Sequence, residues 1–377
     1  MSKAAKTLFT VGLAIGIAVA CITGCRDKED GTVKIGAITP LTGPFAAYGE
    51  PVQEGMLLAV DEINSEGGIN GHKIKLLSED DSSDPTNAVN AFTKHATVSQ
   101  VPAVIGPLSS GCSMATAPLA DRYKVVQLST VAGTIDLSKA GDYVFRIYPS
   151  SDVGSRYIAK IAVEKFNAKR AALFFANDAF GVTSRKFISE ILQGKGVQIV
   201  ADEAFNGGDR DFRTQLTKIV QAKPDVLMCS AYYEEGAQIL VQAKQLGLNV
   251  PILGEDGWFG PIAAVAGDTL KNLYFANVAF GPDYKNNQPM QQFITAFQQR
   301  FKKMPNSYSA AGYSAVYLLK QAIERGGYDG TKIKDALYTT DILTAFGRVK
   351  YDANGDNVGA TYDLFQLNEK NEPVLVK

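Results

Sequence analysis

The chain has 377 residues, 46% hydrophobic and 20% charged, which is enough for two domains of ordinary size that each bury a core. Lys and Arg total 38 against 39 Asp and Glu, a formal net charge of −1, so there is no basic field to attract nucleic acid. The four cysteines have no spacing that makes a zinc site.

At the N-terminus, Lys3 and Lys6 precede an apolar run that starts near Leu8 and closes on Ile22-Thr23-Gly24-Cys25. A basic segment, an apolar stretch and small residues before a cleavage point make a secretory signal. A cysteine directly after the small residue is the lipid-accepting position of a lipobox. The competing reading is a membrane-spanning anchor. The run contains Gly12, Ala14, Gly16, Ala18 and Ala20, however, and falls short of the roughly 20 strongly apolar residues that spanning requires. Residues 1–25 are therefore expected to be a lipoprotein signal with its acceptor Cys25. Everything that follows is expected to be exported and tethered to a membrane surface by acyl chains. Losing Lys3 and Lys6 takes the net charge from −1 to −3. Cys112 and Cys229 remain, at the ends of two strand-like apolar runs, and are expected to be buried small hydrophobes rather than a bridge. No later run is long enough to cross a bilayer.

After a polar linker, Arg26 to Gly31, Val33 to Ile38 reads as a strand. A helix follows from Pro51 to Asn64, with Val52, Met56, Ala59, Val60 and Ile63 at helical spacing and Gly67-Gly68 as its stop. Ile74 to Ser78 is the next strand, and Asp84-Pro85 caps a helix carrying Ala88, Val89, Phe92 and Ala96. Val101 to Ile105, a helix from Gly111 to Tyr123, and Val125 to Leu128 continue an alternation typical of a parallel sheet covered on both faces. The pattern then restarts. Helices at 152–166, 180–193, 211–221 and 234–246 alternate with strands at 171–175, 198–204, 226–230 and 252–253. A strand from Leu273 to Ala279, helices at 289–301 and 308–325, and short strands near 347–351 and 362–367 finish the chain. The fold class expected is α/β, two doubly wound parallel-sheet lobes.

Two such lobes imply a cleft, and sheets of this kind bind ligands beyond the carboxyl ends of their strands. The loops to watch are therefore 40–49, 106–113, 129–135, 176–181, 231–235 and 254–260. Gly106 to Ser113 imitates a phosphate loop, but Cys112 stands where the lysine should be. What survives is a helix N-terminus with the hydroxyls of Ser109 and Ser110, suited to a single carboxylate or simply to capping. The only histidines, His72 and His95, fall in a Gly-rich turn and an amphipathic helix; both are expected at the surface, and neither supplies a catalytic triad. Asp352 to Asp356 resembles the start of a calcium loop but lacks the closing glutamate, so a hairpin turn is expected. Glu255-Asp256-Gly257-Trp258 puts acids and an indole in one loop, where one carboxylate aimed into the cleft could hold an ammonium. Tyr232-Tyr233 and Phe180 on neighbouring loops would form apolar walls. The bland alternative is solvated acids and core rings.

Across nearly the whole mature chain the sequence resembles the periplasmic branched-chain amino acid binding proteins, the leucine/isoleucine/valine receptors of ABC importers. The segments that carry the resemblance are Ile35-Gly36-Ala37, Pro40-Leu41-Thr42-Gly43-Pro44, Tyr48-Gly49, Ala59 to Asn64, Gly67 to Gly71, Val104 to Pro107, Asp178 to Gly181, Tyr232 and Leu253 to Gly257. The resemblance implies the type I periplasmic binding protein fold, with a three-crossing hinge near 147–150, 277–279 and 343–346. It divides the chain into 32–147 plus 278–344 and 148–277 plus 345–377. It implies that Tyr48 lines the ligand's side-chain pocket, that Ser110 binds the ligand carboxylate, and that the Val131 carbonyl takes the ammonium. Gly133 falls on a family threonine and lacks its hydroxyl; Thr134 could substitute, or the register slips by one. Phe180 replaces a tyrosine, Tyr232 matches, and Asp256 falls on the ammonium-binding glutamate, one methylene shorter. Ser83 and Ser109 fall where some members carry a disulfide.

The function expected is that of a monomeric, lipid-anchored receptor at the periplasmic face or cell surface. It captures an apolar amino acid by hinge closure and hands it to an ABC permease, with no cofactor, no metal and no reaction catalysed. The rivals are a receptor for another small acid or amide, a sensory module on the same fold, and a nucleotide-dependent enzyme, which the missing phosphate fingerprint disfavours.

Overall fold

A computed structural model of the chain describes residues 31–258, 262–368 and 372–376. The leader, with Lys3, Lys6 and Cys25, lies outside the described residues, so the lipobox is read from sequence alone. No described helix is long and apolar enough to cross a membrane.

The first sheet is built from β1 (Val33–Thr39), α1 (Ala46–Ser65), β2 (Ile74–Asp80), α2 (Pro85–Lys94), β3 (Ala103–Ile105), α3 (Ser110–Tyr123), β4 (Val126–Ser129) and β5 (Val144–Arg146). Its strands are all parallel in the order β2-β1-β3-β4-β5. β3 and β4 are buried throughout and β1 at all but Lys34, which is why they read as continuous apolar runs.

The second unit contains α4 (Ser151–Glu164), β6 (Arg170–Ala176), α5 (Ala179–Gly194), β7 (Gln198–Phe205), α6 (Arg213–Ala222), β8 (Val226–Ser230), α7 (Tyr233–Gln245), β9 (Ile252–Gly254), α8 (Ala263–Ala266) and β10 (Leu273–Val278). The order β7-β6-β8-β9-β10 repeats that of the first sheet. α9 (Gln288–Phe301), α10 (Ser307–Gly326) and α11 (Gly330–Tyr338) follow, then the hairpin β11 (Asp341–Thr344) and β12 (Gly347–Lys350). β13 (Tyr362–Leu367) and β14 (Pro373–Leu375) extend the second sheet in antiparallel fashion beyond β10.

α10 returns to the first unit and crosses α1 at backbone contact. A Cβ on Gly55 would lie 1.9 Å from the Ser309 carbonyl, and one on Gly312 would lie 2.1 Å from that of Val52, so neither site admits a larger residue. The β11–β12 hairpin stays with the same unit: Tyr351, just after it, packs on Phe145, and Asn357 Nδ2 donates to the Ile147 carbonyl (2.8 Å). We therefore set the third crossing at 358–361, after the hairpin, and not at 343–346 as the sequence suggests. The hairpin's packing partners are distant in sequence, which hid its allegiance.

Other departures have local causes. α1 starts at Ala46, ahead of Pro51, because the Phe45 carbonyl already accepts from Tyr48 N and Gly49 N (both 3.0 Å). Pro51 then costs a single helical hydrogen bond near the start. Cys112 lies in the first turn of α3 rather than on a strand; it and Cys229 are free, buried thiols. Burial pushes the Cys112 pKa up to about 12. His72 is exposed, but His95 is not a surface residue: it is 0% exposed. The buried face of α2 runs Ala88, Ala91, Phe92 and continues to His95 one turn on, so its imidazole lies over Gly36 with Nε2 3.3 Å from the Ala37 carbonyl. Burial lowers its pKa. Asp352 to Asp356 is a turn in which Asp352 Oδ1 accepts from Asn354 N (2.8 Å) and Asp356 N (3.0 Å). No His, Cys, Asp or Glu cluster among the described residues could hold a metal.

Where β5 meets the hinge, Arg146 is 1% exposed. Its Nε pairs with Asp356 (2.5 Å), and its other nitrogens donate to the Thr134 carbonyl (2.9 Å), the Ala132 carbonyl (3.4 Å) and Ser138 Oγ (2.7 Å). Removing one partner of a buried pair strands the other charge, at a cost of about 3–5 kcal/mol. Arg146→Ala is expected to lose about that much stability in urea unfolding, while Arg348→Ala, whose exposed partner is Asp341, is expected to leave the unfolding midpoint nearly unchanged.

Candidate functional site

The six strand-end loops singled out from sequence converge on one cavity of about 530 Å³, measured out to its mouth. Phe45 and Tyr48 follow β1, Leu108 to Ser110 follow β3, and Val131 to Gly133 follow β4; Phe180 follows β6, Tyr232 follows β8, and Asp256 and Gly257 follow β9. In each sheet the first two of these loops flank the point where strand order reverses, the usual ligand crevice of such sheets.

One end of the cavity suits an anion. Ser109 caps α3, its Oγ accepting from Cys112 N (3.3 Å). Ser110 begins the helix, where N–H groups have no partner within the helix and the dipole favours negative charge. Ser110 Oγ accepts from Gly133 N and Thr134 N, both at 3.2 Å. With its acceptor side occupied, the hydroxyl proton is left to donate. Ser83 Oγ is committed elsewhere, accepting from Phe45 N (3.2 Å).

The next loop is held by its carbonyls. Arg146 takes those of Ala132 and Thr134, and Ser151 N donates to that of Gly133 (2.7 Å). That leaves the Val131 carbonyl, beside the cavity, without a partner among the described residues. Thr134 is not brought into the cavity: it is buried, and its Oγ1 accepts from Asp136 N (3.4 Å), capping a short helical turn.

The other end is acidic. Asp256 is the one carboxylate among the described lining residues, which include no Lys, Arg or His. Burial first, and the neighbouring Glu255 carboxylate second, push its pKa up to about 7. Glu255 points away from the cavity into the second unit, accepting from Ser155 Oγ (2.6 Å) and Ser230 Oγ (3.0 Å), and burial raises its pKa as well. Trp258 is core, donating to the Cys229 carbonyl (2.8 Å), not a wall of the cleft.

The walls are aromatic, and their hydroxyls are committed. Tyr232 donates to Asp178 (2.8 Å), which also caps α5 at Gly181 N (2.8 Å) and so fixes Tyr232 and Phe180 together, their ring centroids 5.5 Å apart. Tyr48 donates to the Gly257 carbonyl (2.6 Å) and accepts from Tyr233 N (3.0 Å); Tyr308 donates to the Asp256 carbonyl (2.6 Å). These bonds, with the Phe45–Tyr232 contact at 4.8 Å, tie the two units across the cleft. Tyr233 is not among the lining residues: its ring packs edge-on against that of Tyr48 (centroids 5.4 Å apart) and its hydroxyl meets Glu234 (3.0 Å).

Four lining residues escaped the sequence reading, Pro149, Ser151, Tyr308 and Tyr362. Pro149 and Ser151 sit at the first crossing, Tyr308 opens α10 after the second, and Tyr362 opens β13 after the third. Pro149 and Ser151 follow β5, a short strand absent from the sequence reading, and Tyr308 and Tyr362 follow no strand end, so the rule that located the other residues passes over them.

Comparison with known proteins agrees with this architecture. A model of the periplasmic binding protein family matches residues 32–372. A relative from Rhizobium johnstonii, the Leu/Ile/Val-binding protein BraC3, is 31% identical over 340 residues, covering 89% of this chain and 91% of the relative. The substrate-binding protein LivJ of a branched-chain amino acid transporter from Streptococcus pneumoniae, solved in complex with isoleucine, is 31% identical with a TM-score of 0.83, covering 92% of this chain and 99% of that one. A leucine-binding protein, LivK, from Thermotoga maritima is 28% identical with a TM-score of 0.86, covering 92% and 98%. Fold, cleft and sequence together make this chain a member of the periplasmic binding protein family.

Proposed function

We propose that the cavity captures the zwitterion of an apolar, branched-chain-like α-amino acid for an ABC importer. The observation that carries this reading is the polarity of the cavity: a helix N-terminus with the Ser110 hydroxyl for an anion, and the Asp256 carboxylate with the Val131 carbonyl for a cation. A carboxylate and an ammonium on one carbon match that pair. The ligand's side chain meets Phe45, Phe180 and the rings of Tyr48 and Tyr232, whose hydroxyls are already bonded to protein, so a polar side chain gains nothing there. The names of the relatives, which bind leucine, isoleucine and valine, support the same class. A ligand touching both units favours the closed state, and that differential affinity drives closure without any bond being made or broken. The leader supports a receptor working outside the cytoplasm and anchored through Cys25; in this reading it acts as a monomer that delivers to a membrane-embedded permease.

Calorimetry with leucine, isoleucine and valine tests the ligand class. Asp256→Ala leaves the ligand ammonium buried and unpaired and is expected to weaken binding by about 100-fold or more. Unchanged affinity means no ammonium sits there and turns the reading to a small acid.

Binding should also depend on pH. Before the ligand arrives the Asp256 pKa lies at about 7. The ammonium favours the ionised form, so below pH 7 binding must expel a proton. Affinity is expected to fall as pH drops from 7 to 5, by at most about tenfold per unit. Asp256→Asn, which retains Glu255, is expected to flatten the profile.

For the anchor, Cys25→Ser is expected to abolish labelling with radioactive palmitate and move the protein to the aqueous phase. A variant that still labels overturns the lipid anchor.

A further inference from the structure

We infer that Ser151 is a ligand-gripping residue, and that it supplies from the hinge the hydroxyl that Gly133 lacks. This rests on the reading that a carboxylate is held beside Ser110. Gly133 has no backbone reason to be glycine, since its φ lies outside the left-handed region. What excludes a side chain is Ser151: a Cβ at position 133 would stand 2.0 Å from Ser151 Oγ, while the next neighbour beyond that side chain, Phe180 Cδ2, is at an ordinary 3.7 Å. The hydroxyl of Ser151 thus occupies the space into which a residue 133 side chain would grow.

Ser151 is also placed to use that hydroxyl. It is 7% exposed, lines the cavity, and its Oγ has no hydrogen-bond partner among the described residues. The same Gly133 residue joins it to the anion end, because Gly133 N donates to Ser110 Oγ (3.2 Å) and the Gly133 carbonyl accepts from Ser151 N (2.7 Å). Ser110 and Ser151, the first residues of α3 and α4, therefore flank one residue from opposite lobes. A carboxylate seated at Ser110 receives a second hydroxyl, and the second helix N-terminus adds its positive end. A hydroxyl on residue 133 would move with the first lobe; on Ser151 it belongs to the second, so the contact adds to the preference of the ligand for the closed form.

The test exchanges the two residues. With leucine as the probe, Ser151→Gly is expected to weaken binding by about 10- to 100-fold, the range for a hydrogen bond to a charged group. Gly133→Ser alone is expected to melt at lower temperature, because its Cβ meets Ser151 Oγ. The double variant, Gly133→Ser with Ser151→Gly, is expected to recover both the melting temperature and most of the affinity, which a purely structural role for Ser151 does not predict. Wild-type affinity in Ser151→Gly, or a double variant that folds but does not regain binding, overturns the inference and leaves the amino acid reading standing. A wild type that ignores leucine, isoleucine and valine overturns both.

Discussion

A buried cation at the hinge organises the anion end of the cavity. Arg146 reaches the carbonyls of Ala132 and Thr134 and pairs with Asp356, so the loop after β4 is held from beneath. The consequence is a sorting of backbone groups. Carbonyls that Arg146 and Ser151 N consume turn away from solute, the Val131 carbonyl stays available, and the N–H groups of Gly133 and Thr134 close on Ser110. Burying a guanidinium is expensive, and burial does lower its pKa. The carboxylate of Asp356 and three protein oxygens offset that cost. The pair also joins β5 to the turn before the third crossing, so one ion pair braces both the site loop and a strand of the hinge.

At the opposite end the chain tolerates the reverse condition, a carboxylate with no cation beside it. Asp256 and Glu255 are adjacent in sequence, and their charges oppose each other. The loop sends them in different directions: Glu255 is paid in serine hydroxyls inside the second lobe, while Asp256 faces the cavity. A site that held its own lysine or arginine would already be neutral and would have less reason to prefer an ammonium. In the proposed reading, the free energy of this unpaired acid is what a ligand ammonium relieves.

Much of this was legible in the sequence. Both alternations of strand and helix were readable because parallel strands buried on two faces are continuous apolar runs and the helices between them keep a 3.6-residue period. The loops after β1, β3, β4, β6, β8 and β9 were legible as the cavity wall because doubly wound sheets leave little choice of place. What stayed hidden was non-local. His95 looks like one more polar residue on an amphipathic helix until the α2 face is extended by a turn onto Gly36. The β11–β12 hairpin belongs to the first lobe through Phe346 N, which donates to Ser314 Oγ of α10, and through Tyr351 and Asn357 just beyond it, which meet Phe145 and Ile147 some 200 residues earlier. Thr134 looked like the natural replacement for the missing hydroxyl because it is adjacent; its side chain is instead spent on a cap.

The hinge residues of the cavity carry a further consequence for closure. Strand-end loops can only bring each half of the site with its own lobe, whereas Pro149, Ser151 and Tyr362 sit where the chain passes between lobes. Tyr308 belongs to a first-lobe helix yet donates to the Asp256 carbonyl of the second. Tyr48 likewise bonds Gly257 and Tyr233 across the cleft. Both hydroxyls bind backbone atoms of the loops that hold the acid and the aromatic wall, so closing the lobes also sets the position of Asp256. Closure and site assembly are then one event, which makes affinity sensitive to residues at the hinge.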